Sequence, residues 1–266
     1  MRLLPGFWVL AVAAALHGCA ALSDKVGQRM SVLLPADVLL LGEQHDAPEH
    51  QHLQLAVVTE LGRRGQLAAL ALEMVSQGTS TAGLPADASA EQVQAALQWS
   101  DSAWSWRSYG PVVMAAVRLQ IPVLGANLPR TAMRAAMANE NWDKHLDAAA
   151  LERQRDDIRS GHCQLLPESQ IAPMTRIQIA RDAAMAATAL GARQPGKTVL
   201  LVAGGAHVLR GTGIPTHWPS GVSSRVVLAV AGSPDPGRAV GADLVWQTPA
   251  LPPKDHCADL KGKLRP

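Results

Sequence analysis

The chain has 266 residues, of which 48% are hydrophobic, so it can bury the core of one large domain or of one domain with an insertion. Its formal net charge of +2 predicts neither a nucleic-acid partner nor binding to an anionic membrane surface. The 18 prolines are spread along the chain, so its composition does not indicate a long disordered linker.

Residues 1–18 have the pattern of a bacterial lipoprotein signal peptide. Arg2 precedes an apolar run, residues 3–15, that is too short to span a bilayer as a helix. The sequence Leu16-His17-Gly18-Cys19 then resembles a lipobox, although histidine is unusual at its second position. This pattern predicts a lipid on Cys19 that anchors the protein to a membrane.

The residues after Cys19 refine this expectation. Alanine rather than aspartate follows the cysteine, which favours sorting to the outer membrane of the cell envelope. Residues 19–35 are then a tether between the lipid and the folded domain. An ordinary secretory signal, cleaved near Ala15 or Ala21, is the alternative.

Two further cysteines, Cys163 and Cys257, form an even pair for an oxidising compartment. A disulfide between them would join the C-terminal tail, residues 251–266, to the rest of the protein. Two free thiols are the alternative, and the sequence leaves both open.

Six short apolar segments predict β-strands, at residues 38–41, 67–72, 121–124, 198–203, 226–230 and 244–246. Segments with helical periodicity lie between them, at residues 53–64, 90–99, 111–119, 131–154 and 171–190. This alternation predicts an α/β domain over residues 36–250, with a mainly parallel β-sheet flanked by helices. Residues 131–175 have no strand pattern and predict a smaller all-helical subdomain inserted into it.

Acidic residues and histidines follow three of the predicted strands. Glu43 and His45 follow the first strand, Glu73 the second and His207 the fourth. Because the carboxyl ends of parallel strands meet at one edge of a sheet, we expect these four side chains to converge. They could hold a divalent metal or perform the acid–base chemistry of a hydrolase. Helix caps and salt bridges in polar loops are the structural alternative.

Asp182 lies on the long helix predicted over residues 171–190, on the same face as Met174 and Met185. A carboxylate among core-facing methionines needs a partner, because burying it alone is costly. Arg107 or Arg130 would serve as that partner, and an active-site role for Asp182 is the alternative.

The densest aromatic stretch, residues 104–109, contains Trp104, Trp106 and Tyr109 beside Arg107. Flat apolar rings next to a cation suit a porphyrin, whose faces pack on aromatic rings and whose propionates pair with a cation. The stretch precedes a helix predicted to begin at Pro111, so these rings could instead simply close the core.

The same motifs occur in the same order in the ChaN-like haem-binding lipoproteins. The chain resembles that family over about residues 36–218 through Gly42-Glu43-x-His45-Asp46-x-x-x-His50, Glu73-Met74, Trp104-x-x-x-x-Tyr109-x-Pro111, Ala126-Asn127-Leu128-Pro129-Arg130 and Gly204-x-x-His207 with Gly213-x-Pro215. The wider superfamily, by resemblance, includes Tiki metalloproteases, TraB-like proteins and erythromycin esterases, which share a Glu/His cluster on a related fold.

The resemblance implies an outer-membrane lipoprotein of iron acquisition that binds haem as a homodimer and works with an outer-membrane iron-uptake receptor. It also implies that tyrosine ligates the iron, and Tyr109 is the sole tyrosine in this chain. Phenolate suits ferric iron, and Arg107 and Trp106 would complete the haem site. A metal-dependent hydrolase that uses the four strand-end side chains is the alternative function.

Overall fold

The computed structural model describes residues 25–264, so Cys19 and the predicted signal peptide lie outside the described residues. A six-stranded sheet forms its centre. Strands β1 to β6 span Val38–Glu43, Leu67–Ser76, Val123–Asn127, Thr198–Gly204, Ser224–Ala231 and Leu244–Thr248. Every neighbouring pair is parallel, in the order β3-β2-β4-β1-β5-β6. The predicted α/β class is therefore confirmed.

Helices cover both faces of the sheet. Helix α1 covers residues 25–33, and α2 to α9 span Pro48–Arg63, Ala90–Leu97, Trp106–Arg118, Met133–Ala138, Ala148–Gly161, Ile171–Gly191, Pro236–Ala239 and His256–Leu264. The chain moves in one direction along the sheet from β1 to β3 and in the other from β3 to β6. Because parallel crossovers are right-handed, α2 and α4 pack on one face and α7 on the other.

Alternate residues of β1 supply the two halves of the core. Leu39 and Leu41 pack on the face that α2 and α4 cover. Val38 and Leu40 pack on the opposite face with Met185 of α7, and all five side chains are fully buried. Burial on both faces explains why the strands are continuous apolar runs rather than alternating ones.

The region predicted as one helix over residues 131–154 is divided in the structure. Helix α5 ends at Ala138, and a 3₁₀ helix, Glu140–Lys144, precedes α6. The side chain of Asn139 accepts a hydrogen bond from the backbone of Asn141, and that of Asp147 accepts one from Ala150. Each side chain satisfies an N–H group that a continuous helix would have bonded, so each begins a new helical segment.

Both ends of the described chain are attached to the domain. Residues 25–33, predicted as part of a tether, form a helix whose Val26 and Met30 are fully buried. Cys163 and Cys257 form a disulfide with their Cα atoms 5.6 Å apart, so α9 is bonded to the segment after α6. Within residues 25–264, no helix is both long enough and apolar enough to cross a membrane.

Candidate functional site

The carboxyl ends of β1, β2 and β4 bring Glu43, His45, Glu73 and His207 together. Strand β4 lies between β1 and β2, and all three run in the same direction. Nε2 of His45 lies 3.9 Å from one carboxylate oxygen of Glu73, and Nε2 of His207 lies 3.5 Å from the other. Glu73 therefore lies between the two imidazoles.

Glu43 is 3% exposed and accepts hydrogen bonds on both oxygens. One oxygen accepts from the Tyr109 hydroxyl at 2.5 Å and is bonded to Nδ1 of His45 at 2.8 Å. The other accepts from the side-chain amides of Gln51, at 2.9 Å, and Gln54. These donors fix the orientation of the carboxylate. The sequence analysis missed these two glutamines. They lie three residues apart on the buried face of α2, and polar side chains in such positions indicate a buried partner.

Tyr109 reaches Glu43 because α4 begins earlier than predicted. The helix starts at Trp106, so Pro111 lies within it, and the Trp106 ring covers Gly110, where a Cβ atom would lie 2.8 Å from the ring. Tyr109 is 3% exposed. Burial and the negative charge of Glu43 raise the pKa of its phenol well above the ordinary value. In this structure its hydroxyl donates to Glu43, and the role of phenolate ligand that the resemblance implied stays a prediction.

His207 pairs with Asp182, which is 1% exposed, through Nδ1 and Oδ1 at 2.6 Å. Arg107 or Arg130 was predicted as the partner of Asp182, and this prediction was wrong. The imidazole of His207, which follows β4, is the partner instead. Burial alone would lower the pKa of His207, but the charges of Asp182 and Glu73 outweigh it and raise that pKa. His207 therefore has a carboxylate at each nitrogen, an arrangement that favours its protonated form.

The four strand-end side chains form ion pairs with one another. A histidine ligand must be neutral, and both nitrogens of His207 face carboxylates. In the described part of the chain, no group of three histidine, cysteine, aspartate or glutamate side chains has the geometry to hold a metal ion. The structure gives no support to the divalent-metal site predicted from Glu43, His45, Glu73 and His207.

Glu73 is the central anion of the network. Burial would raise the pKa of its carboxyl group, but His207, His45 and the backbone N–H of Gly204, which donates at 2.7 Å, outweigh burial and lower it. Glu73 is therefore ionised and lies between the two imidazoles.

His45 differs from the other three residues because 38% of its side chain is exposed. Its Nε2 has no hydrogen-bond partner among residues 25–264, and a Cβ atom at Gly204 would lie 3.0 Å from it. The glycine therefore keeps space open beside this nitrogen. The Trp104 ring packs edge-on against the imidazole, with centroids 4.7 Å apart. Burial would lower the pKa of His45, but Glu43 and Glu73 outweigh burial and raise it.

Arg107 and Trp106 lie in the first turn of α4. Trp106 is half-buried and packs edge-on against Trp99, with ring centroids 5.1 Å apart. Arg107 is exposed. The structure thus places a cation and aromatic rings on the helix that also carries Tyr109.

A second pair of histidines, which sequence reasoning did not bring together, joins the helical region to the segment after β4. The rings of His145 and His217 stack with centroids 3.8 Å apart and planes 5° apart. The Thr216 hydroxyl donates to the carbonyl of Gly213 at 2.8 Å, so it accepts from Nε2 of His145 at 3.0 Å. Burial lowers the pKa of His145. Burial and the adjacent imidazole lower the pKa of His217 to about 4.

Acid should therefore destabilise the protein through His217. Unfolded histidine takes up a proton near pH 6.5, whereas folded His217 resists it until about pH 4. The stabilisation is complete above pH 6.5 and is lost progressively as the pH falls towards 4. We expect the melting temperature of His217→Gln to fall less steeply over this range than that of the wild type. Replacing the exposed His52 by glutamine is the control, and parallel curves for wild type and His217→Gln would contradict the prediction.

The family model described as haem-binding uptake, Tiki superfamily, ChaN matches residues 30–217. The chain belongs to the ChaN family. The matched range contains Tyr109 and all four strand-end residues, so the network lies in the part of the chain that resembles other ChaN proteins.

Solved structures agree with this assignment. The structure of cofacial haem binding to ChaN of Campylobacter jejuni aligns with this ChaN family member at a TM-score of 0.64 and 26% identity, covering 84% of this chain and 89% of that one. The type III effector HopBA1 aligns at a TM-score of 0.46 and 14% identity, covering 81% and 88%, and this likeness is too distant to carry an argument. No curated protein matches the chain.

Proposed function

We propose that this ChaN family member binds haem and that His45 supplies the ligand to its iron. Family membership and the similarity to a ChaN with bound haem support haem binding. The observation that carries the choice of ligand is the state of His45, whose imidazole is partly exposed and whose Nε2 is unbonded within the described chain. Bound haem would supply a redox-active iron in need of an axial ligand.

The surroundings of His45 are those of a good iron ligand. Metal-binding histidines usually donate their second N–H to a carboxylate, which fixes the ring and makes the ligating nitrogen more basic. Glu43 does this at Nδ1 of His45, and the donors around Glu43 hold the carboxylate in place. Gly204 also leaves space beside Nε2, because a Cβ atom there would lie only 3.0 Å from this nitrogen.

Neighbouring groups suit the porphyrin ring. Trp104 lies against His45, and Trp106 and Arg107 follow in the first turn of α4. We propose that these rings contact the macrocycle and that Arg107 pairs with a propionate. In this account Tyr109 supports the site through Glu43 rather than through iron.

Haemin titration of the full chain tests the proposal. Wild-type protein should give a saturable Soret shift, and His45→Gln should lower the affinity at least about tenfold, because the ligating nitrogen is lost. Two control variants should retain the spectrum. Tyr109→Phe alters the only tyrosine of the chain, and His217→Gln removes an imidazole other than that of His45. Loss of haem in Tyr109→Phe with retention in His45→Gln would contradict the assignment.

The affinity for haemin should also depend on pH. Because iron and a proton compete for Nε2, the affinity should fall as the pH decreases through the raised pKa of His45.

We propose further that the protein is a lipoprotein of iron acquisition, anchored through Cys19 to the outer membrane, that forms a homodimer and passes haem to or from an iron-uptake receptor. The apolar run of residues 3–15 before the lipobox supports the anchor, and the family description as a haem-uptake protein supports the role in iron supply.

Labelled palmitate in growing cells tests the anchor. We expect incorporation into the wild type and none into Cys19→Ala, because the thiol of Cys19 is the attachment point. Cys163→Ser is the control, since that thiol is in the disulfide. Unlabelled wild-type protein released freely from the membrane fraction would contradict the lipoprotein assignment.

A further inference from the structure

A cavity of about 850 Å³ opens at the carboxyl edge of the sheet. It is lined by the ends of β1 and β5, by residues 205–206 and 209–212, by α6, and by Val240, which is 76% exposed. His45, Trp104 and Tyr109 do not line it, so it adjoins the proposed iron ligand through Glu43 without containing that ligand. Its volume is in the range of cavities that enclose organic ligands.

The topology explains why a cavity lies at this point. After β1 the chain moves towards β2, whereas after the adjacent β5 it moves in the opposite direction to β6. The connections diverge and leave a crevice between the two strand ends. Open α/β sheets bind their ligands at such a switch point.

The lining carries two arginines, Arg153 and Arg210, and four carboxylates, Glu43, Asp156, Asp157 and Asp235. Asp156 pairs with Arg159 at 2.7 Å, and Arg210 pairs with Asp243 at 2.5 Å. Arg153 is exposed, lines the cavity and has no hydrogen-bond or ion-pair partner among the side chains that the structure describes.

Other carboxylates of the lining are already occupied. Glu43 accepts the hydrogen bonds described above, Asp235 accepts one from the backbone of Gly237 at 2.8 Å, and Asp157 also has a partner. A ligand with a single carboxylate would therefore meet Arg153 as a free cation.

The remaining lining is largely apolar and includes Leu209, Leu228 and Val230. It contains no histidine, tyrosine, cysteine or methionine, which are the usual axial ligands of haem iron. We propose that this cavity is a second binding site, for an organic carboxylate with a large apolar body that pairs with Arg153 and is held without metal ligation.

Two probes separate the sources of such a carboxylate: iron-free protoporphyrin IX and a fluorescent long-chain fatty acid, each titrated into the full chain. One or both should saturate at one molecule per chain. Arg153→Gln removes the cation, and Ala206→Trp places a large ring in the cavity from an exposed position. Each variant should weaken binding at least about tenfold, because the first removes a charged hydrogen-bond donor and the second fills the space that the ligand needs. Arg63→Gln, which removes an exposed arginine of α2, should leave binding unchanged.

Preference for protoporphyrin would identify a tetrapyrrole as the ligand, and preference for the fatty acid would identify a lipid; both support the site. Failure of both probes to saturate, or equal affinity in wild type, Arg153→Gln and Ala206→Trp, would overturn it. Haemin binding that depends on His45 but persists in these two variants would leave the proposed haem site standing, so the two proposals can fail separately.

Discussion

Replacing Glu73 by alanine is expected to lower the free energy of unfolding by about 3–5 kcal/mol, because the change breaks a buried ion-pair network. The Glu73 carboxylate is 4% exposed and lies between His45 and His207. Without it, the His207 imidazolium loses one of its two anions, and the N–H of Gly204 loses its acceptor. For a chain of this size the loss corresponds to a fall in melting temperature of about 6–20 °C.

Glu49→Ala is the matched control, because Glu49 also pairs with a histidine, His52, but on the surface, at 3.5 Å. Exposed ion pairs contribute less than about 1 kcal/mol, so this variant should unfold close to the wild-type temperature. Equal melting temperatures for Glu73→Ala and Glu49→Ala would show that the buried network does not stabilise the fold.

Replacing Gly213 by alanine should displace His207 and destabilise the protein by roughly 1–3 kcal/mol, the usual cost of forcing an extra methyl group into packed surroundings. A Cβ atom at Gly213 would lie 2.1 Å from the carbonyl oxygen of His207 and 2.6 Å from its carbonyl carbon. The φ angle of Gly213 is −101°, so the glycine is required by space and not by an unusual backbone conformation. The hydrogen bond from Ile214 to His207, 2.7 Å long, should be lost as well.

Gly211→Ala is the control, because the atom nearest to its added Cβ, on the flexible Arg153 side chain, is 3.8 Å away. Nitrogen NMR of the imidazoles should show a changed His207 signal in Gly213→Ala and an unchanged one in Gly211→Ala. Identical His207 signals and melting temperatures in the two variants would contradict this role for Gly213.

The strands and the convergence of the polar side chains could be predicted from sequence because both follow from local pattern. Strands such as Val38–Glu43 are buried on both faces, so each is a continuous apolar run that is easily recognised. Parallel strands then place Glu43, Glu73 and His207 at one edge whatever the order of the strands. The order itself, with β4 between β2 and β1, is a matter of long-range pairing that periodicity does not encode.

The chemistry of the site could not be predicted in the same way, because it depends on tertiary partners. Proline was taken as the start of α4, yet the helix begins one and a half turns earlier and carries Tyr109 inward to Glu43. Asp182 contacts His207, 25 residues away, and this contact raises the pKa of the histidine. The sequence shows which residue types reach the site, but the protonation states of these side chains depend on their contacts in the folded protein.

Resonance Raman spectroscopy of the ferrous haem complex tests the central claim, ligation by His45, most directly. The account predicts an iron–imidazole stretching mode in the wild type and in Tyr109→Phe, and its absence in His45→Gln, because only His45 pairs a partly exposed imidazole with the Glu43 carboxylate. Phenolate modes in the ferric complex that vanish in Tyr109→Phe, together with an unchanged spectrum for His45→Gln, would contradict it.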